Sequence, residues 1–292
     1  MSYARLTLRV AAADVATAEA LLELAGANSL SLVDAADDPI LEPAPAETPL
    51  WPDVEIRALF PASTDLAPVR ALLERSCASS HSFVTGSLDD EEWRAAAQRS
   101  IPARAFGKRL WLSPADDERV PAGFVGVKLH MGLAFGTGEH PTTALCLEWL
   151  DAALEPGATV LDYGCGSGVL AIAALALGAD HAWAIDNDEQ ALIATRDNTR
   201  LNGCESRIDV CAPEALPTLR VDVVLANILA GPLVALAPEL AGVVAPGGWT
   251  VLSGILTRQA ETVAAAYQPW FEPITMRERD GWTRIDARRR SG

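Results

Sequence analysis

The sequence predicts a two-part α/β protein. A small α+β unit comes first, and a larger sheet with helices on both faces follows it. Three observations predict this. The first ninety residues alternate strand and helix patterns as β-α-β-β-α-β. From about Phe124 the pattern becomes a regular strand–helix alternation, the mark of an α/β sheet. A glycine-rich turn, Val160-Leu-Asp-Tyr-Gly-Cys-Gly-Ser-Gly168, joins one apolar strand to one apolar helix. The length of 292 residues suits one large or two ordinary domains.

In the first unit, Tyr3 to Val10 alternates apolar and polar residues as a strand does. Val15 to Ala25 has helical spacing, with Asp14 as its expected N-cap and Gly26 as its stop. Ser29 to Val33 is a second strand, and the proline- and acid-rich stretch Asp37 to Pro52 is a loop. Val54 to Phe60, Asp65 to Cys77 and His81 to Leu88 then give strand, helix and strand. That order is the ferredoxin-like motif. Asp89 to Arg99 is expected to form a short polar helix, and Ile101 to Pro121, with three prolines, a connector. The expected division is 1–90, a linker over 91–121, and 122–292.

In the larger unit, Thr159 to Tyr163 is a short strand and Val169 to Leu177 a helix closed by Gly178. Ala182 to Ile185, Arg207 to Cys211, Val221 to Ala226 and Trp249 to Leu252 are further strands. Glu189 to Leu201, Leu233 to Val243 and Gln259 to Ala266 are helices, and Pro246-Gly247-Gly248 is a turn. Asp280-Gly281 closes an antiparallel hairpin between Ile274–Arg277 and Trp282–Ala287.

Composition excludes several function classes. The net charge of −16 argues against direct nucleic-acid binding and against docking on anionic lipid, both of which need basic surface. Residues 1–100 carry −9 of it, with 7 Arg and no Lys against 16 Asp and Glu. That acidic surface either keeps the chain soluble or attracts a basic macromolecule. The five cysteines are odd in number and dispersed, without a C-x-x-C, so neither a disulfide framework nor a zinc site is expected. The N-terminus lacks a long apolar core, and no stretch approaches the roughly 20 apolar residues of a membrane span. A cytoplasmic location is expected.

Four elements carry chemistry. The glycines at 164, 166 and 168 let a ligand approach the backbone, and the helix after them offers unpaired N–H groups. The spacing is G-x-G-x-G, whereas a dinucleotide fingerprint would need glycine where Val169 stands. Asp162, two residues before the first glycine, suits a cationic or hydroxylated ligand better than a pyrophosphate. Asp186 ends the next strand, where a carboxylate can accept hydrogen bonds from both ribose hydroxyls of a nucleoside. Gly132-Leu-Ala-Phe-Gly-Thr-Gly-Glu-His-Pro-Thr-Thr143 is a tight loop leading into a helix that Thr142 or Thr143 would cap. His140 in it is a general base or a packed loop histidine; with His130 it lacks further ligands at metal spacing, so no metal is expected. Asn227 ends the strand Val221-Asp-Val-Val-Leu-Ala-Asn227, where open α/β sheets place their ligands.

These motifs, together with Leu252-Ser-Gly-Ile255 and Phe106-Gly-Lys-Arg-Leu-Trp111, resemble those of the ribosomal protein L-eleven methyltransferase family, within the class I S-adenosylmethionine-dependent methyltransferases. The Gly-Thr-Gly-x-His-Pro-Thr-Thr loop and Asn-Ile-Leu are the specific part, and the likeness spans most of the chain. Glu139, His130 and Met131 depart from the family pattern. The resemblance implies a Rossmann-like seven-stranded sheet with S-adenosyl-L-methionine as cofactor and S-adenosyl-L-homocysteine as product. It implies transfer of methyl groups to the α-amine and lysine ε-amines of a large-subunit ribosomal protein, which the N-terminal domain presents. Thr143, Gly164, Asp186 and Asn227 would contact the cofactor, with Asn227 also facing the acceptor nitrogen as the catalytic residue. Gly166 and Asp162 rank second for the same pocket. A monomer is expected. The competing readings are a methyltransferase of the same fold with another protein or small-molecule substrate, and a non-catalytic nucleotide-binding module.

Overall fold

The computed structural model describes residues 3–35, 51–77, 79, 82–88, 102–130 and 140–291. The chain divides into two compact units, 1–98 and 99–292. Most of the loop expected over Asp37–Pro52, the polar helix expected over Asp89–Arg99, and the glycine loop from Gly132 to Glu139 lie outside the described residues.

The first unit runs β1 (Tyr3–Ala11), α1 (Ala12–Leu24), β2 (Ser29–Asp34), β3 (Asp53–Pro61), α2 (Leu66–Ser76) and β4 (Ser82–Leu88). Its sheet has the order β2-β3-β1-β4 with every neighbour antiparallel, the ferredoxin-like arrangement. Period-two alternation sends Leu6, Leu8 and Val10 of β1 to one face, opposite Ala58, Ile56 and Val54 of β3. Val15, Ala18 and Leu22 of α1, with Val69 and Leu73 of α2, close over that face. Each of the leucine, isoleucine and valine side chains contributes about 1.5–3 kcal/mol on burial. Asp65 caps α2 by accepting from Ala67 N at 3.0 Å. Asp14 does not cap α1. The helix starts earlier, at Ala12, and the Asp14 carboxylate instead accepts from the backbone N–H (2.9 Å) and hydroxyl (2.5 Å) of Ser79.

The second unit opens with structure where a connector was expected. Strands β5 (Arg104–Phe106), β6 (Leu110–Pro114) and β7 (Val125–Leu129) form a three-stranded sheet. Gly107 turns between the first two at φ 67°, and the Asp151 carboxylate accepts from the next two backbone N–H groups, Lys108 (2.8 Å) and Arg109 (2.7 Å). A Cβ at Gly107 would collide with that carboxylate. Residues 104–114 thus belong to the second unit's framework.

The main elements are α3 (Pro141–Ala153), β8 (Thr159–Tyr163), α4 (Val169–Ala176), β9 (His181–Ile185), α5 (Glu189–Leu201), β10 (Ile208–Cys211), β11 (Val221–Asn227), α6 (Ala230–Val243), β12 (Val244–Leu256), α7 (Ala260–Tyr267), β13 (Phe271–Arg279) and β14 (Trp282–Arg289). The seven-stranded sheet has the order β10-β9-β8-β11-β12-β14-β13. Its first five strands are mutually parallel, and β14 is antiparallel to both neighbours. Both faces are covered: Val160, Val223 and Leu225 enter one core, while Leu161, Val224 and Ala226 enter the other. Pro246-Gly247-Gly248 lies where β12 leaves the ladder: Val244 pairs with Val221, Gly247 takes φ 79°, and pairing resumes at Trp249 opposite Val223. The order reverses between β8 and β11, so their carboxyl ends part and leave the crevice where such sheets bind ligands. No helix among the described residues is long and apolar enough to cross a membrane.

Candidate active site at the sheet switch point

Chain geometry builds the glycine turn. Gly164, Gly166 and Gly168 take φ values of 76°, 54° and 77°, the left-handed region that side chains disfavour. A Cβ at Gly164 would strike Ile228 Cγ2, and one at Gly168 would stand 2.8 Å from Thr195 Cγ2. Gly164 N and Cys165 N both donate to Ile185 O, at 2.8 and 3.0 Å. Helix α5 holds the turn from the other side, with Thr195 Oγ1 donating to Gly166 O (3.0 Å) and Asn198 Nδ2 to Ser167 O (2.9 Å).

Two carboxylates attend this turn. Asp186 accepts Gly166 N on one oxygen and Asp188 N on the other, both at 3.0 Å. Each oxygen keeps lone-pair capacity for a further donor. Asp162 is 1% exposed. Its Oδ2 accepts from Ala171 N at 3.1 Å, while its buried Oδ1 has no hydrogen-bond partner among the described residues. Burial pushes the Asp162 carboxyl up to about 7; the Ala171 N–H opposes the rise and the Asp186 charge adds to it.

Across the crevice, Asn227 ends β11 and its Nδ2 donates to Thr143 Oγ1 at 3.2 Å. Thr143 lies in the first turn of α3, which the structure caps with His140 rather than with Thr142 or Thr143. The helix begins at Pro141, whose missing N–H suits the first helical position. His140 Nδ1 accepts from Thr142 N (3.4 Å) and lies 2.7 Å from Thr142 Oγ1. An Nδ1 that accepts an N–H carries no proton, so the neutral ring holds its proton on Nε2. Burial pushes the His140 pKa down, which favours that neutral form. The ring also packs edge-on against Trp282, with centroids 4.8 Å apart. His140 is thus a packed, hydrogen-bonded histidine of the site's wall.

A cavity of about 460 Å³ lies between these parts. Thr143, Gly164, Gly166 and Asn227 line it together, as do His140 and Trp282. Asp186 does not line it; it stands one hydrogen bond away, on Gly166 N. Asp162 also stands outside the lining, beneath the start of α4. The sequence reading missed Trp282, Leu229 and Gly254 as wall residues. Gly254 left a signal, a glycine inside an apolar strand; its φ is 82°, and a Cβ there would strike Ile228 O.

A sequence profile described as "Ribosomal protein L11 methyltransferase (PrmA)" matches residues 2–290. The chain belongs to this family. A ribosomal protein L11 methyltransferase of Hahella chejuensis is 45% identical over 289 residues, covering 99% of each chain. One from Pseudomonas aeruginosa is 49% identical over 277 residues, covering 94% of this chain and 93% of the relative. The crystal structure of a ribosomal protein L11 methylase from Lactobacillus delbrueckii subsp. bulgaricus aligns at a TM-score of 0.57 and 30% identity, over 64% of this chain and 98% of that one. The protein is a methyltransferase of the class I fold, and S-adenosyl-L-methionine is its methyl donor. The residues present fit that donor: a glycine turn on the cavity wall where a Cβ at Gly164 would strike Ile228, carboxylate acceptors on Asp186, and on Asp162 a buried oxygen without a hydrogen-bond partner among the described residues.

Proposed function

We propose that this methyltransferase acts on amino groups of ribosomal protein L11, both the α-amine and lysine ε-amines. Asn227 carries the reading. It stands at the carboxyl end of β11, in the wall of the same cavity as the glycine turn, with its amide held by Thr143. Gly164 and Thr143 contact the cofactor in this reading, and Asp186 takes its ribose hydroxyls. Asp162 offers its free oxygen to a cationic or N–H group.

Bound S-adenosylmethionine supplies a methyl group already activated on a sulfonium. What remains for the chain is to align the amine with it, and positioning of this kind can lower a barrier by roughly 7–11 kcal/mol. The amine must be neutral, and a free lysine has a pKa of about 10.4. A cavity walled by Trp282, Leu229 and Ile228 disfavours the ammonium form by desolvation. Asn227 Oδ1 accepts one amine N–H and leaves the nitrogen lone pair free to point at the methyl carbon. His140 does not take the proton, because its Nδ1 is occupied in capping α3.

The N-terminal unit recognises the ribosomal protein, and the −9 charge of residues 1–100 complements a basic partner. In this reading the enzyme works as a monomer in the cytoplasm, where its ribosomal-protein substrate is made. Mass spectrometry of purified L11 after incubation with enzyme and S-adenosylmethionine tests the reading. Whole methyl steps on the α-amine and on lysines are expected; an unmodified protein would overturn it.

A further inference from the structure

We infer that the outward face of the first half of α6 is a shelf on which the acceptor-bearing segment of L11 lies, apolar side down. From Ile228 to Pro238 no residue carries a polar side chain. Part of that run is core: Ala230, Leu233 and Ala237 are buried beneath the helix. The rest faces outward. Pro232, Val234, Ala235 and Pro238 are exposed, Val234 by 36%, and Leu229 at the head of the helix is exposed by 52%. A surface helix ordinarily turns polar residues outward. Helix α5 of the same unit does so: its exposed positions are Glu189, Gln190, Asp197 and Arg200, with Ile193 the apolar exception.

Two observations tie this face to the acceptor. Leu229 belongs to both surfaces: it lines the cavity with Asn227, and it is the N-cap of α6. The reach of the acceptor then decides what lies over the helix. An extended lysine side chain carries its nitrogen only about 6 Å from its Cα, and an α-amine is one bond from its own. The substrate backbone must therefore descend to the cavity rim, and the rim continues into α6. Leu229 to Pro238 rises about 13.5 Å along the helix axis, which an extended chain crosses in about four residues. The second observation is a backbone acceptor. Pro238 has no N–H to donate to Val234 O, so the helix leaves that carbonyl without its regular donor. An apolar strip that includes such a carbonyl fits a peptide, which brings apolar side chains and N–H groups together. This inference rests on the proposed action on L11, and it names the chemistry of the segment: uncharged, apolar residues beside the acceptor amine.

The test measures methyl transfer to purified L11 against its concentration, at saturating S-adenosylmethionine. Val234→Glu and Ala235→Glu each put a carboxylate on the shelf at a position outside the cavity wall. Each is expected to raise KM for L11 at least about 10-fold, with kcat and the calorimetric affinity for S-adenosylhomocysteine unchanged. Long-range attraction to a basic partner would by itself lower KM, so the rise reports direct contact. Val234→Ile keeps the face apolar and should keep the wild-type KM. Ile193→Glu, at a 43% exposed position on α5, controls for the added charge and should also keep it. An unchanged KM in whichever glutamate variants of α6 fold, or an equal rise in Ile193→Glu, would overturn the proposal. So would a wild-type dimer in light scattering that Val234→Glu dissociates, since the face would then be covered by a second copy of the chain. A wild-type enzyme that leaves L11 unmodified would instead remove the reading of the substrate on which the shelf rests.

Discussion

The two units differ in what they bury. Among the described residues, all the buried polar and charged side chains lie in the second unit, from Ser113 to Asp286. Apart from Cys77 the N-terminal core is aliphatic and aromatic, and the ion pairs among its described residues, Arg9–Glu55, Arg57–Glu55 and Arg70–Glu74, involve arginines at the surface. Surface pairs of that kind contribute little to stability. The second unit buries Asp162 with one oxygen unpaired, and also Thr143, Thr195 and Asn198 around the same crevice. Unpaired buried acceptors are costly. The unpaired Asp162 oxygen belongs to the residue that precedes the glycine turn, whereas the fully buried side chains described in the first unit are apolar or thiol.

That contrast can be broken by experiment. The largest effect is expected from Asn227→Ala, which should reduce methyl transfer at saturating cofactor at least about 100-fold, with circular dichroism unchanged. Next is Asp186→Ala, which should weaken S-adenosylhomocysteine binding in calorimetry; unchanged affinity would remove Asp186 from the ribose role. In the other unit, Leu8→Ala opens a hole in the N-terminal core and should cost about 2–5 kcal/mol in denaturant unfolding while sparing cofactor affinity.

Asp162→Asn sharpens the comparison through pH. The folded protein holds this proton up to about pH 7, whereas an unfolded aspartate releases it near its ordinary value of 3.8. Over that window the folded state binds more protons, so the stabilisation due to the neutral acid is lost as pH rises through 7. An amide has nothing to lose there. The ligand-free variant should therefore melt at least about 2–4 °C higher than wild type at pH 8, with the difference shrinking toward pH 4. Its affinity for S-adenosylmethionine should fall. A variant less stable than wild type at pH 8 would show that Asp162 is structural. The smallest effect is electrostatic: added salt should weaken binding of L11 while leaving cofactor binding flat, and a flat response of both would reduce the acidic charge to a solubility device.

How much of this was legible in the sequence follows from the range of the forces involved. The N-terminal unit was readable because each strand buries one face, so Leu6, Leu8 and Val10 alternate with polar residues. The glycine turn and the strand-end residues Asp186 and Asn227 were readable because strand–helix boundaries are local events. Strands β5 and β6 were not, since they are short and flanked by prolines, and what holds their turn is Asp151 from a distant helix. The His140 cap was misassigned to threonine because an imidazole acceptor is an uncommon cap and Pro141 started the helix early. The excursion in β12 is legible because Pro246-Gly247-Gly248 carries turn chemistry and the strand resumes at Trp249. Trp282 was invisible as a wall residue, because only the antiparallel pairing of β14 with β12 brings it to the crevice. The partner of the Asn227 amide could likewise be found only in three dimensions.

The proposed division between a recognition body and a methyl-transfer crevice is tested most directly by incubating the enzyme with tritium-labelled S-adenosylmethionine and the purified set of ribosomal proteins. A single labelled band at L11, lost in Asn227→Ala, is the expected result. Label spread over many ribosomal proteins, or label in none, would contradict it.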